Sequence, residues 1–302
     1  MNSPHIPVLL QDILQIFSGI QTGIIIDCTL GFGGHTKALL EQNPHIKVIG
    51  IDRDADARDF STKLLAPFGE RFQCIAGSFG EIFPQVLEKY SSEIRGVLAD
   101  IGVSSYQIDT LERGFSFKGQ KLDMRMDQNN TIDAQKILMY YSSFELERVF
   151  REYGELKEAK KLAHLIVDFR DKNLFQNAQV FNHWLKTNFK NPKILPLVYQ
   201  ALRIEVNQEL NELDLLLDTA KLLKNAILCI ITFHSLEDRR VKNTFKNFSK
   251  SCICPSHIMR CECGNQHSLG EILIKRPIIA TAQEIKENSR SASAKLRAFY
   301  FK

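Results

Sequence analysis

The sequence contains no long hydrophobic run. Its longest strongly apolar stretch, Ala226 to Phe233, is eight residues, whereas a membrane-spanning helix needs about 20. No bilayer-crossing segment is expected. Met1-Asn-Ser-Pro-His5 lacks a basic stretch followed by an apolar one, so no signal peptide is expected and the cytoplasm is the default location. Cysteine occurs in an odd number, seven, which argues against a disulfide framework. The excess of one charge is small, with 39 Lys+Arg against 35 Asp+Glu, or +4. Internal repeats and low-complexity segments are also missing.

What remains is the composition of a folded chain. The 302 residues are 44% hydrophobic and 25% charged, enough apolar mass for a large core and too much for a disordered protein. At roughly 150 residues per domain the length suggests two domains. The charge is unevenly spread. Residues 239–302 hold 13 basic and 4 acidic side chains, or +9, leaving −5 on residues 1–238. A basic C-terminal quarter suits a polyanion such as nucleic acid, although a solvated surface has the same composition.

The first hundred residues alternate short β-branched runs with helical patterns. Strands are expected at Ile24–Cys28, Val48–Asp52, Phe72–Ala76 and Gly96–Asp100, with helices at 34–41, 54–65 and 80–90. Strands covered on both faces read as continuous apolar runs, and a β-α-β-α order implies a parallel sheet with right-handed crossovers. From about Leu111 a polar, glycine-containing loop runs to Asp127. Helical patterns follow over 134–141, 144–151, 156–169 and 178–189. A further long helix leads to a strong strand at Ile227–Phe233. A helix over 236–248 and a closing hairpin from 271–276 and 296–301 complete the pattern. About 100 helical residues within an alternating α/β pattern read as an inserted subdomain.

Leu30-Gly-Phe-Gly-Gly-His35 follows the first strand and opens a helix. Open α/β sheets bind nucleotide-type cofactors there. A dinucleotide fingerprint requires a third glycine, and Thr36 occupies that place. Asp52, at the end of the second strand, is placed to accept bonds from ribose hydroxyls. A cofactor with a ribose but no pyrophosphate, S-adenosylmethionine, fits better than NAD. Asp100 ends the fourth strand and is either an active-site carboxylate or an Asx cap. Tyr106 is either an aromatic face for the target base or packing. Arg113, Phe115, Phe117, Lys118, Lys121 and Arg125 interleave basic and aromatic residues, as single-stranded RNA binding demands. Ser235 and Asp238 have the spacing of a capping box, with Ser235 as the cap; His234 stays a site candidate.

Cys28, Cys74 and Cys229 sit in apolar runs and read as small buried hydrophobes. Cys252-Ile-Cys254 and Cys261-Glu-Cys263, with His257 and His267 nearby, resemble a metal cluster, but the spacing is C-x-C rather than C-x₂-C. The reading favoured here is a reduced insertion, and no metal is assigned.

Together these blocks resemble the bacterial 16S ribosomal RNA (cytosine-N4) methyltransferase family, called RsmH or MraW. The resemblance spans nearly the whole chain. It rests on His5-Ile-Pro-Val-Leu, Asp27-Cys-Thr-Leu-Gly-Phe-Gly-Gly-His35, Ile49-Gly-Ile-Asp52 and Asp100-Ile-Gly-Val-Ser-Ser105. It continues through Glu112-Arg-Gly-Phe-Ser-Phe117, Leu122-Asp-Met-Arg-Met-Asp127, Tyr153-Gly-Glu155 and Gln200-Ala-Leu-Arg-Ile-Glu-Val-Asn207. Phe233-His-Ser-Leu-Glu-Asp238 and Ser293-Ala-Lys-Leu-Arg297 complete it.

The resemblance implies an α/β, Rossmann-like class I methyltransferase core with an inserted all-helical subdomain. The core would comprise 1–110 and 207–302, the latter with the basic region, and the substrate domain 111–206. S-adenosylmethionine is implied, contacted by Gly33, Gly34, His35, Asp52, Phe79, Asp100 and Gln107. The implied substrate is the N4 amine of the cytidine at position 1402 of 16S rRNA in the small ribosomal subunit. RNA contacts are expected from Arg113, Lys118, Arg125, Arg290, Lys295 and Arg297. Asp100 and Tyr106 are the catalytic candidates, and a homodimer is compatible with all of this. The competing readings are an NAD-dependent oxidoreductase and a non-catalytic RNA-binding protein. Three departures from the family pattern stand out: Ser78 for Asn, Lys193-Ile-Leu-Pro-Leu197 for His-Pro-Ala-Thr-Arg, and Ala292 for a basic residue.

Overall fold

The β-branched runs form the strands of a single sheet, and the segments between them form the helices that cover it. The computed structural model describes residues 7–170, 177–255 and 260–302; His5 and His257 lie outside these. The chain opens with α1 (Leu10–Phe17). Then follow β1 (Gly23–Asp27), α2 (Gly34–Gln42), β2 (Ile46–Asp52), α3 (Ala55–Leu65), β3 (Phe72–Ala76), α4 (Phe79–Tyr90) and β4 (Ile94–Asp100). Next come α5 (Ser105–Asp109), α6 (Ala134–Tyr140), α7 (Ser143–Glu152), α8 (Ala159–Arg170), α9 (Ala178–Asn188), α10 (Ile194–Asn207) and α11 (Glu209–Ala220). The last part comprises β5 (Ala226–Thr232), α12 (Ser235–Phe248), β6 (Gly270–Ile272), β7 (Ile278–Ile279), α13 (Ala282–Glu287) and β8 (Lys295–Phe301).

The strand order is β3-β2-β1-β4-β5-β8-β6, with β7 also on β8. The strands β1 to β5 are mutually parallel, whereas β8 runs antiparallel to β5, β6 and β7. The expected closing hairpin is therefore an antiparallel pair with β7 and α13 between its strands. Ile26, Ile51, Val97 and Ile230 face one apolar layer with α4, α11 and α12. Ile25, Val48, Leu98 and Ile231 face the other, with α1 and α2. That alternation explains the continuous apolar runs: neighbouring residues point into opposite cores.

The chain divides into two units, Met1–Gly102 with Asn211–Lys302, and Val103–Leu210. The second is helical, with its own core around Phe150, Phe181, Leu185 and Leu202. The helix pattern before β5 is broken in two. Gln208 takes a left-handed conformation (φ 52°) between α10 and α11, and the Arg203 guanidinium clasps the Glu209 carboxylate across the break at 2.8 and 2.9 Å. Among the described residues, no helix is long and apolar enough to cross a membrane.

Candidate cofactor and substrate site

Parallel strands deliver their carboxyl-terminal residues to one edge of the sheet. Here that edge receives Asp27, Asp52 and Asp100, the last residues of β1, β2 and β4. Gly33 caps α2 in the left-handed region (φ 76°), and a Cβ there would meet the Leu65 side chain at 3.1 Å. Gly31 is also left-handed (φ 50°), but a Cβ on it would find nothing nearer than the Thr29 carbonyl at 3.8 Å. The space beside Gly31 is open, and its N–H donates to Asp52 Oδ2 at 2.7 Å. The second Asp52 oxygen accepts from the Asp54 N–H at 2.8 Å.

The three carboxyls are held differently. Asp27 accepts from the Thr36 hydroxyl at 2.7 Å and from the Thr29 N–H at 3.2 Å. Burial still raises it to about 6, against those two bonds. Burial likewise raises Asp52 to about 6, opposed by the amides of Asp54 and Gly31. Asp100 is pushed up to about 8, first by burial and then by the charges of Asp27 and Glu237. Its backbone N–H is tied to the Thr29 hydroxyl at 2.7 Å. Its Oδ1 is buried and finds no hydrogen-bond partner among the described residues. An unsatisfied buried acceptor costs about 1–3 kcal/mol or more, and a cationic donor would relieve it. Buried carboxyls with raised values at a strand edge are candidates for a functional site.

The other cofactor candidates have structural duties. His35 is buried and bonds to the Val8 carbonyl through Nε2 at 2.9 Å; burial lowers it to about 4 and keeps it neutral. Gly34 packs against Pro7, where a Cβ would sit 2.5 Å from the ring. Phe79 is buried at the start of α4 within the core. Ser78 caps that helix through the Glu81 N–H at 3.3 Å. Asn and Ser are equivalent caps, so the departure at Ser78 preserves the helix start. Tyr106 and Gln107 belong to the helical unit. Gln107 closes a capping box with Ser104 at 3.1 Å in both directions, and Tyr106 is partly exposed.

Several expected RNA contacts are committed elsewhere. Arg113 is buried, and its Nη2 donates to the Arg125 and Met126 carbonyls at 3.1 and 2.9 Å. Arg125 pairs with both oxygens of Asp123 at 2.8 and 2.7 Å and also donates to the Gln128 and Asn130 carbonyls. Arg297 is buried and bonds Asp238 at 2.7 Å; Lys295 reaches the same carboxylate at 3.4 Å. Arg290 is half-buried. Lys118 and Lys121 are exposed, and Phe117 is 41% exposed with its ring edge-on to Tyr199.

The cap of α12 differs from the one expected from spacing. His234, not Ser235, is the cap: its Nδ1 accepts from the Glu237 N–H at 3.4 Å, and Glu237 accepts from the N–H groups of Phe233 and His234 at 2.8 and 3.1 Å. Glu237 completes this box because it lies three residues after His234, and Asp238 is free to hold Arg297. Cys74 is half-buried rather than fully buried, whereas Cys28 and Cys229 lie in the core.

Sequence reasoning missed the role of the Gln200–Asn207 block. Asn207 donates to the Met124 carbonyl at 2.7 Å and accepts from the Met126 N–H at 2.8 Å. Glu205 takes the Arg148 guanidinium at 2.7 Å and the Tyr141 hydroxyl at 3.0 Å. Gln200 donates to the Tyr153 carbonyl at 2.9 Å. These residues hold the 111–127 loop and the surrounding helices in place. Asn207 follows Gln200 by two helical turns and shares its face of α10, which was the available signal; Glu205 lies on another face.

Thr36 is fully buried against Asp27, so a side chain fills the place a dinucleotide loop leaves to its third glycine. The core is a Rossmann-like methyltransferase fold. A family model described as the MraW methylase family matches residues 2–302. The chain belongs to that family and is a methyltransferase; the oxidoreductase reading is not supported. The chain is similar to "Ribosomal RNA small subunit methyltransferase H" of Helicobacter pylori (strain ATCC 700392 / 26695), 51% identical over 304 residues, with 100% of this chain and 99% of the relative covered. The protein of the same name from Wolinella succinogenes is 48% identical over 305 residues, with both chains covered fully.

Proposed function

We propose that this chain methylates the N4 amine of the cytidine at position 1402 of 16S rRNA in the small ribosomal subunit, with S-adenosylmethionine as donor. The observation that carries the reading is the buried, unpartnered Asp100 oxygen at the end of β4, in a chain about half identical to rRNA methyltransferases over its full length. The residues fit the cofactor. Its ammonium matches the Asp100 acceptor, its ribose hydroxyls match Asp52, and the open space at Gly31 admits a ligand against backbone. Phe79 flanks the adenine, and Gly33, Gly34 and His35 keep the surrounding backbone in shape; Gln107, in the helical unit, keeps the start of α5 in shape. When bound, S-adenosylmethionine supplies an electrophilic methyl group on a positively charged sulfur.

The protein's own task is to bind and orient. The cytosine amine is a poor nucleophile because its lone pair is delocalised into the ring, so alignment of nitrogen with the methyl carbon carries much of the rate. The target base must be unstacked to reach a buried edge. The exposed Lys118, Lys121 and Phe117 of the helical unit supply phosphate and stacking contacts, with Tyr106 a second aromatic face. The helical unit is thus the substrate domain. Arg290 and Lys295 are the RNA-contact candidates of the sheet unit. The enzyme works in the cytoplasm, and a homodimer is its proposed assembly, which light scattering on the purified chain reads directly.

The test is incubation with tritiated S-adenosylmethionine and small ribosomal subunits, followed by nucleoside mass spectrometry. N4-methylcytidine is the expected product. Label in another nucleoside, or none, overturns the assignment.

A further inference from the structure

The loop between α12 and β6 carries four cysteines that the methyl-transfer chemistry does not use. Their sulfurs converge. Cys252, Cys261 and Cys263 form a triangle with edges of 3.6, 3.6 and 3.7 Å, and the Cys254 sulfur lies within 4.8 Å of each of them. A tetrahedral ion with four bonds of about 2.3 Å to sulfur has sulfur–sulfur edges of about 3.8 Å. The three edges match that figure. They also exceed by far the roughly 2.05 Å of a disulfide.

The described residues around them are arranged symmetrically. The N–H of Ile253, the middle residue of the first C-x-C, donates to Cys263 Sγ at 3.4 Å. The N–H of Glu262, the middle residue of the second, donates to Cys254 Sγ at 3.3 Å. Each pair thus supplies an amide to the last sulfur of the other, an arrangement that stabilises thiolates. Gly264 and Asn265 are left-handed (φ 81° and 55°) and turn the chain directly after the second pair. The base is closed by the His267 N–H on the Ser251 carbonyl at 3.0 Å and the Leu269 N–H on the Phe248 carbonyl at 2.8 Å. His267 is not needed as a ligand; its Nε2 bonds the Cys263 carbonyl at 2.7 Å.

We propose that Cys252, Cys254, Cys261 and Cys263 form a structural zinc site that pins the loop between α12 and β6. Four sulfur ligands leave no open position for chemistry, as structural zinc sites require. The one-residue spacing, which argued against a zinc knuckle in the sequence, is accommodated because the amides cross between the two pairs. Without an ion, four sulfurs this close would repel as thiolates, and the described residues beside them, such as Ile253, are exposed and offer little apolar burial to offset that.

The test uses the full-length chain purified under reducing conditions. Elemental analysis by mass spectrometry should give one zinc per chain, and a metal-free sample should take up one equivalent in competition with a chromophoric chelator. Cobalt substitution should give the thiolate charge-transfer and visible bands of a tetrahedral four-sulfur site. The C254S/C261S double variant should lose the zinc and melt at a lower temperature while keeping the far-ultraviolet dichroism of the wild type. The Glu262→Gln variant should keep its zinc. A wild-type chain with free thiols that takes up no zinc overturns the site. So does a disulfide within the set, iron in place of zinc, or zinc retained by the double variant. None of these readouts depends on methyl transfer.

Discussion

The Gly31 amide donates to the Asp52 carboxylate at 2.7 Å and so joins the loop after β1 to the end of β2. The residue proposed to receive a ribose also shapes the glycine loop. A substitution there acts twice, on ligand contacts and on loop geometry.

For Asp52→Ala we therefore predict a loss of cofactor affinity of about tenfold or more, from hydrogen bonds worth roughly 1.5–3 kcal/mol when an ionised group takes part. Asp52→Asn should lose less, because an amide oxygen can still accept one of the two amide bonds. Calorimetry with S-adenosylmethionine reads both, and unchanged affinity in a folded Asp52→Ala chain removes Asp52 from the site.

Asp100 gives a pH signature. Its carboxyl is held near 8 against an ordinary value of 3.8. Engaging an ammonium requires its ionised form, so binding below pH 8 releases a proton and cofactor affinity should rise between pH 6.5 and 8. The ligand-free chain should behave oppositely. A raised carboxyl contributes stability that is complete below about pH 4 and is lost as pH climbs through 8. His35, lowered from 6.5 to about 4, adds no slope above 6.5. Asp100→Asn should flatten the affinity profile and remove the stability slope between pH 6 and 8, leaving the slope below 6 that Asp27 and Asp52, each raised to about 6, contribute; it should weaken cofactor binding several-fold, with a smaller effect on single-turnover rates at saturation. A large rate loss at unaltered affinity would make Asp100 the acceptor for the amine of the base instead.

The arginines and lysines of the 111–127 loop should separate. Lys118→Ala with Lys121→Ala should weaken ribosomal-subunit binding and reduce its salt slope by about 2, with thermal stability preserved. Arg113→Ala should instead destabilise the helical unit, because it empties a buried site and strands two carbonyls. If the lysine pair leaves the salt slope untouched, these residues do not meet the RNA.

Asn207→Ala should cost about 1–3 kcal/mol by leaving the buried Met126 N–H unsatisfied. Chemical denaturation reads the loss directly. A neutral result would mean that water replaces the amide.

Most of the sheet was legible from residues alone. Ile24–Ile26 and Val97–Ala99 are apolar at every position because both faces are covered, and such runs have few alternatives. The inserted helices were legible from their period. The break at Gln208 was not, since a left-handed residue other than glycine leaves no mark in the sequence. The α12 cap was misjudged because two cap patterns overlap at Phe233–Asp238. Glu237 reaching back to the Phe233 and His234 amides, rather than any intrinsic preference of Ser235, decides between them.

The order of elements, the glycine loop, the acids at the strand ends and the motif set that marks the family are all written in the residues alone. These are local properties, fixed by side-chain type and spacing. Which charges are engaged emerges with folding. Arg113, Arg125 and Arg297 look like the exposed lysines in a composition, yet carbonyls and carboxylates distant in sequence or folded back on the same loop occupy them. Folding also decided that Asp100 keeps one oxygen unpartnered and that four cysteines in two pairs meet at a single point. Hydrogen bonding and burial depend on what the fold brings close, and spacing along the chain does not carry that information.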